Sequence, residues 1–150
     1  SSQLKPNTMK YLLLLCLLSV NMMAVAQTNA DVVDMDVHKL VMQFTAGDSL
    51  EQAMIIGQVR NVRQALPNAQ IEVVCQGPGL DLLNKSKSKM GKEVAEWTAK
   101  GVVFAACNNT MRRRGIKKED LFPVAVVVPS ALVELIKKQE QGWAYAKGGH

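Results

Sequence analysis

Apolar residues in this chain fall into short runs separated by polar stretches rich in glycine, proline and asparagine. Four runs, at 39–45, 71–76, 102–106 and 124–128, are brief and mostly apolar, the last continuous in Val and Ala. That is the pattern of strands buried on both faces of a parallel sheet. The segments between them carry helix signals. Asp48-Ser49-Leu50-Glu51 reads as a capping box, with Asp48 at the cap and Glu51 reaching back to it. The helix it opens runs through Ala53, Met54, Gly57 and Val62 to Leu66, where Pro67-Asn68 stops it. Gly77-Pro78-Gly79 is a turn, 80–83 a short helical turn, and 84–89 an exposed basic loop.

Met90, Val94 and Trp97 fall at i, i+4 and i+7, predicting a helix over 90–100 closed by Gly101. Asn108-Asn109-Thr110 supplies capping residues for a short helix ending at Gly115. Ser130 caps a last helix in which Leu132, Val133 and Ile136 are expected to face inward. Lys137 and Lys138 complement its dipole, and Gly142 ends it. Trp143 and Tyr145 alternate with Ala144 and Ala146, which predicts an edge strand before a tail at 147–150. No internal repeat is visible. Alternating strands and helices imply a three-layer α/β/α fold with a mainly parallel sheet of about five strands.

The segment ahead of this domain has a different character. Met9-Lys10 is followed by the apolar run 11–18, then by Ser19, Val20 and Asn21, and Ala24-Val25-Ala26 fits a peptidase site. Charge, apolar core and small-residue site, in that order, predict a secretory signal over 9–26 and an exported, periplasmic protein. Asn21 interrupts the run before the roughly 20 residues a spanning helix needs, so no membrane span is expected after cleavage. Cys16 sits too early in the run for lipid attachment. Residues 1–8 lie upstream of the apparent start at Met9 and are set aside; 27–37 is an acidic leader, 38–147 the domain and 148–150 its tail.

From Gln27 onward the chain keeps sixteen of its eighteen basic residues and all thirteen acidic ones, a net charge of +3. Nothing in that demands nucleic acid, and the sparse aromatic residues offer no base-stacking platform. The mature length is enough to bury a core without disulfide staples. Cys75 and Cys107 remain, and His38 and His150 are the only histidines; no zinc-like spacing links them, so no metal is expected. Gly77-Pro78-Gly79 has neither the length nor the lysine of a phosphate loop, and no cofactor is expected. No serine or cysteine nucleophile has a recognisable histidine base. Lys85, Lys87, Lys89 and Lys92 read either as a solvated loop or as an attraction for an anionic partner.

Cys75 and Cys107 both fall near strand carboxyl ends, where α/β folds bind ligands. The segment 101–110, Gly-Val-Val-Phe-Ala-Ala-Cys-Asn-Asn-Thr, followed by Arg112-Arg113-Arg114-Gly115, resembles the DsrE/DsrF-like family. So do Gly77-Pro78-Gly79-Leu80, Val127-Val128-Pro129 and Gln139-Glu140-Gln141-Gly142-Trp143-Ala144-Tyr145, in this order and spacing. The resemblance implies a small α/β sandwich that assembles into homo- or hetero-oligomers. In some members a cysteine after the third strand carries a persulfide between partner proteins, and Cys107 matches that position. The partner would then be a protein sulfur donor or acceptor. Independently of the resemblance, Asn108, Asn109 and Thr110 at the helix entrance and the cations Arg112 and Arg113 are placed to support Cys107, although cations also suit the last turn of a short helix.

The chemistry also stands on its own terms. A sulfur carrier needs a thiolate, and Cys107 at a helix entrance has free N–H groups to stabilise one. The alternative is a buried cysteine acting as a small hydrophobe. Cys75 has the weaker case, with core packing its default role, and a Cys75–Cys107 disulfide requires their strands to be neighbours. An oligomeric or small-ligand binding module without enzymatic activity is the second functional reading. In either case the edge strand with Trp143 and Tyr145 calls for cover.

Overall fold

The computed structural model describes Val33–His150. The segment 9–26, predicted as an export signal, and most of the predicted leader 27–37 lie outside the described residues. Among the described residues no helix is long and apolar enough to cross a membrane.

Five strands form one sheet: β1 (Lys39–Phe44), β2 (Gln70–Cys75), β3 (Val103–Cys107), β4 (Val126–Val128) and β5 (Ala144–Lys147). All pair in parallel, in the order β4-β3-β2-β1-β5. The helices are α1 (Ser49–Ala65), α2 (Gly91–Ala99), α3 (Asn108–Arg114) and α4 (Ala131–Glu140). The three-layer α/β/α reading holds. From β1 the chain steps outward to β4, then returns across the sheet to β5. Right-handed crossovers put the outward connections on one face and the return on the other.

The cores follow that division. Ile55, Ile56 and Val59 of α1, Val94 and Trp97 of α2, and Met111 of α3 pack on Met42, Phe44, Ile71, Val73, Cys75, Phe104 and Ala106. On the other face, α4 alone among the described residues supplies helical cover, through Ala131 and Leu135 against Val41, Val74, Ala105, Cys107 and Val128. The expected inward set on α4 is therefore wrong. Leu132, Val133 and Ile136 are 60%, 43% and 54% exposed. The helix carries adjacent apolar stripes, and periodicity alone does not choose which one meets the sheet. The side facing the sheet also carries Lys138, whose ammonium lies 2.8 Å from buried Glu72 on β2, 3.9 Å from Glu134 and 4.2 Å from the Trp143 ring centre.

Local signals are met with small differences. Asp48 caps α1 by accepting from the Leu50 and Glu51 amides. Glu51, however, does not close a capping box; its carboxylate takes the amide and ring Nδ1 of His150. Gly148 donates to the Gln43 carbonyl and Gly149 to the Gln58 side chain, so the last three residues lie along α1. The buried face of α1 is Gln52, Ile55, Ile56 and Val59, with Gln52 bonded to the Gly47 carbonyl and the Lys89 amide. Residues Gly77–Leu83 form a 3-10 segment beside the end of β1. A Cβ on Gly79 would lie 2.2 Å from the Phe44 carbonyl oxygen, so only glycine permits that approach.

Burial pushes the Glu72 carboxyl above its usual range, although Lys138 pulls it back. A raised folded pKa favours the protonated form in the folded state. The stability this group contributes is therefore full below the unfolded value of about 4.3 and is lost as pH rises through the folded pKa. Urea unfolding across that window should show stability falling more steeply with pH in the wild type than in Glu72→Gln. Parallel curves for the two proteins would disprove the assignment.

Candidate functional site

The sheet places Cys107 through a simple count. Cys75 pairs with Ala106, and both face the first core. Cys107, one residue further, faces the second core. Strands β2 and β3 are neighbours, as a disulfide would require, yet the thiols point to opposite sides of the sheet. Both cysteines are free.

At the end of β3 the chain turns directly into α3. Cys107 itself occupies the cap position, with Asn108, Asn109 and Thr110 as the first helical residues rather than the cap. On the adjoining strand Val128 pairs with Cys107, and α4 starts three residues later. Its first amide, that of Ala131, donates to Cys107 Sγ at 3.3 Å. The sulfur thus sits where two helices begin. Thr110 is 2% exposed, and its hydroxyl oxygen accepts from the Gly77 amide at 3.0 Å. That acceptance leaves the hydroxyl proton to point at sulfur.

These donors bear on the ease with which the thiol ionises. Burial alone would raise the Cys107 pKa, but the Thr110 and Ala131 amides, the Thr110 hydroxyl and the Asn109 amide together hold it below that of an ordinary cysteine. Cys75 shows the opposite outcome, with complete burial pushing its thiol far up. A thiolate is the nucleophilic form, so the surroundings of Cys107 favour that form while those of Cys75 oppose it.

A small crevice of about 160 Å³ opens over Cys107, lined by Gln76, Asn109, Thr110, Arg113, Ser130 and Leu132 among others. The three arginines diverge, as helical geometry requires. Arg113 lines the crevice, Arg112 bonds the Asn109 side chain, and Arg114 turns away to the Gly77 carbonyl and Asp81. Asn108 is half-buried beside the sulfur-bearing residue. The histidines are elsewhere, His38 on Asp34 and His150 on Glu51. Among the described residues no three metal-ligating side chains come together.

A family model described as the DsrE/DsrF-like family matches residues 42–146. The chain belongs to the DsrE/DsrF-like family. Among solved structures it is similar to MTH1491 of Methanobacterium thermoautotrophicum, a protein of unknown function, at 33% identity and a TM-score of 0.70. That match covers 73% of this chain and 98% of the other. The ychN protein of E. coli matches at 15% identity and a TM-score of 0.60, covering 73% and 98%. BT1422 of Bacteroides thetaiotaomicron, also of unknown function, matches at 16% and 0.57, covering 73% and 93%; these last two show the fold alone. No curated protein matches the chain.

Sequence reasoning missed Ala131, Gln76 and Ser130. Ser130 holds the predicted cap position of α4 but makes no side-chain cap bond, and it lines the crevice instead. The signal available was that a helix starts just after each of two strands, which adjacent parallel strands bring together.

Thr110 gives the sharpest test of this electrostatic assignment. Thr110→Val should raise the Cys107 pKa and slow iodoacetamide alkylation at neutral pH, whereas Thr110→Ser should restore both. An unchanged pH–rate profile in a folded Thr110→Val protein would refute it.

Proposed function

We propose that this family member is an exported protein that binds or relays sulfur through the Cys107 thiolate. The observation carrying the reading is the convergence of hydrogen-bond donors from two helix starts on one sulfur, which favours its ionised form. The Cys107 thiolate attacks the outer sulfur of a donor persulfide, R–S–SH. A new S–S bond forms at Cys107 as the donor's S–S bond breaks, and the donor leaves as a thiolate. The sulfur atom moves without net oxidation, so no further redox partner is required. An acceptor thiolate removes it by the same exchange.

Export, supported by the pattern over 9–26, would expose this thiol to an oxidising compartment. Cys75 cannot trap it as an intramolecular disulfide, because it lies on the other side of the sheet. Incubation with a persulfide donor followed by mass spectrometry should show one added sulfur on Cys107 and none in Cys107→Ser. Absence of added sulfur, with a control carrier loaded in parallel, would refute the relay reading.

A second reading, self-association, is favoured by the uncovered apolar side of the molecule. Leu132, Val133 and Ile136 on α4, Val103 and Val126 on the sheet, and Tyr145 on edge strand β5 are all exposed. A groove of about 310 Å³ runs between α4 and β5, with Leu132, Ile136 and Tyr145 among its walls. Such a patch in an exported protein calls for cover. Light scattering should give a mass above that of one chain, reduced by Leu132→Asp with Ile136→Asp. A monomeric wild type would remove this reading.

A further inference from the structure

The modest net charge hides a segregated one. Segments 84–92 and 109–118 hold nine lysines and arginines and no acid. The remainder of the described chain holds seven basic and twelve acidic residues. The fold joins the two basic segments. The Lys85 ammonium donates to the Glu119 carbonyl at 2.8 Å, its amide donates to the Asp120 carbonyl at 2.9 Å, and Asn84 bridges to Leu121. Asp81 neutralises Arg114 and pins α3 to the 3-10 segment. Arg112, Arg113, Lys117 and Lys118 are exposed, and among the described residues none forms a salt bridge to a carboxylate. Arg113 stands at the rim of the Cys107 crevice. A rigid basic platform thus borders the reactive sulfur.

We propose that this platform is a docking surface for an acidic polypeptide, whose Asp and Glu side chains meet Arg112, Arg113 and Lys117 while its own sulfur reaches Cys107. The inference rests on the sulfur-relay reading and names the class of partner. Charge complementarity favours it. Arg113 lines the crevice over the sulfur and Arg112 bonds its neighbour Asn109, and the crevice is too small to hold more than the tip of a partner side chain. Opposed charges of this kind raise association rates by about 10- to 1,000-fold at low salt.

The test uses two synthetic peptides, each with one cysteine activated as a 2-pyridyl disulfide, one flanked by aspartates and the other by lysines. Cys107 thiolate attacks the peptide sulfur. A peptide–Cys107 disulfide forms, the bond to the pyridyl sulfur breaks, and pyridine-2-thione is released and followed by absorbance. The acidic peptide should react on the order of tenfold faster at low salt. That ratio should collapse near about 1 M salt, where the screening length is about 3 Å. It should also collapse in Arg112→Glu/Arg113→Glu and fall in Lys117→Glu, while Lys137→Glu, on α4, keeps it.

Equal rates for the two peptides, or a ratio untouched by the charge reversals, would overturn the proposal. So would stronger competition by anionic phospholipid vesicles or polyuridylate than by poly-glutamate, which would assign the platform to a membrane or a nucleic acid. Circular dichroism checks that each variant is folded, and Arg113→Lys, keeping the charge, should retain the preference. Because the assay reads disulfide exchange, a persistent acidic preference alongside failed persulfide loading would sink the relay reading and leave the docking surface standing.

Discussion

A parallel sheet has two faces to bury, and among the described residues the return crossover from β4 to β5 leaves one of them to a single helix of ten residues. How α4 is seated governs most of what is distinctive in this protein. Ala131 and Leu135 provide its apolar contact, and Lys138 ties its far end to Glu72 in the middle of the sheet. That anchor has a cost, since a carboxylate taken out of water recovers only part of its lost hydration from one ammonium partner. The same seating aims the first amide of the helix at Cys107 and turns Leu132, Val133 and Ile136 outward. The thiol's environment and the exposed apolar face are consequences of one packing arrangement.

The contrast between the two cysteines shows how little sequence separates packing from chemistry. Cys75 and Cys107 both end strands of one sheet, in adjoining positions, and differ in which face they meet. On one side the surroundings are hydrocarbon and the thiol stays protonated. On the other, amides that helix starts leave unpaired point at the sulfur. The fold is shared with proteins of unknown function, so the argument for function rests on this site and not on the architecture.

Much of the architecture was legible because its signals are local. Short apolar runs marked the strands, Asp48 marked the start of α1, and the spacing of Val94 and Trp97 marked the buried side of α2. Cys107 was legible because a strand, a cysteine and a helix start follow one another without a gap. What escaped was non-local. Strand order brings Ala131 to Cys107 across 24 positions, and nothing in either segment alone announces it. The stripe of α4 that meets the sheet carries Lys138, whose partner Glu72 lies on a distant strand in the sequence. The lysine run reads either as a solvated loop or as an attraction for an anionic partner, and its union with the arginine segment depends on bonds from Lys85 to the Glu119 and Asp120 carbonyls.

The opposed orientation of the two cysteines gives the folded domain an internal gauge of its own integrity. Among the described residues one sulfur lies under a surface crevice with an amide aimed at it, while the other lies within the first core. Cys75 becomes available only when the layer of α1, α2 and the 3-10 segment lifts from the sheet, so its labelling clocks that opening. Two sulfurs in neighbouring strands therefore record different histories, one of encounters at the surface and the other of breaches in the interior.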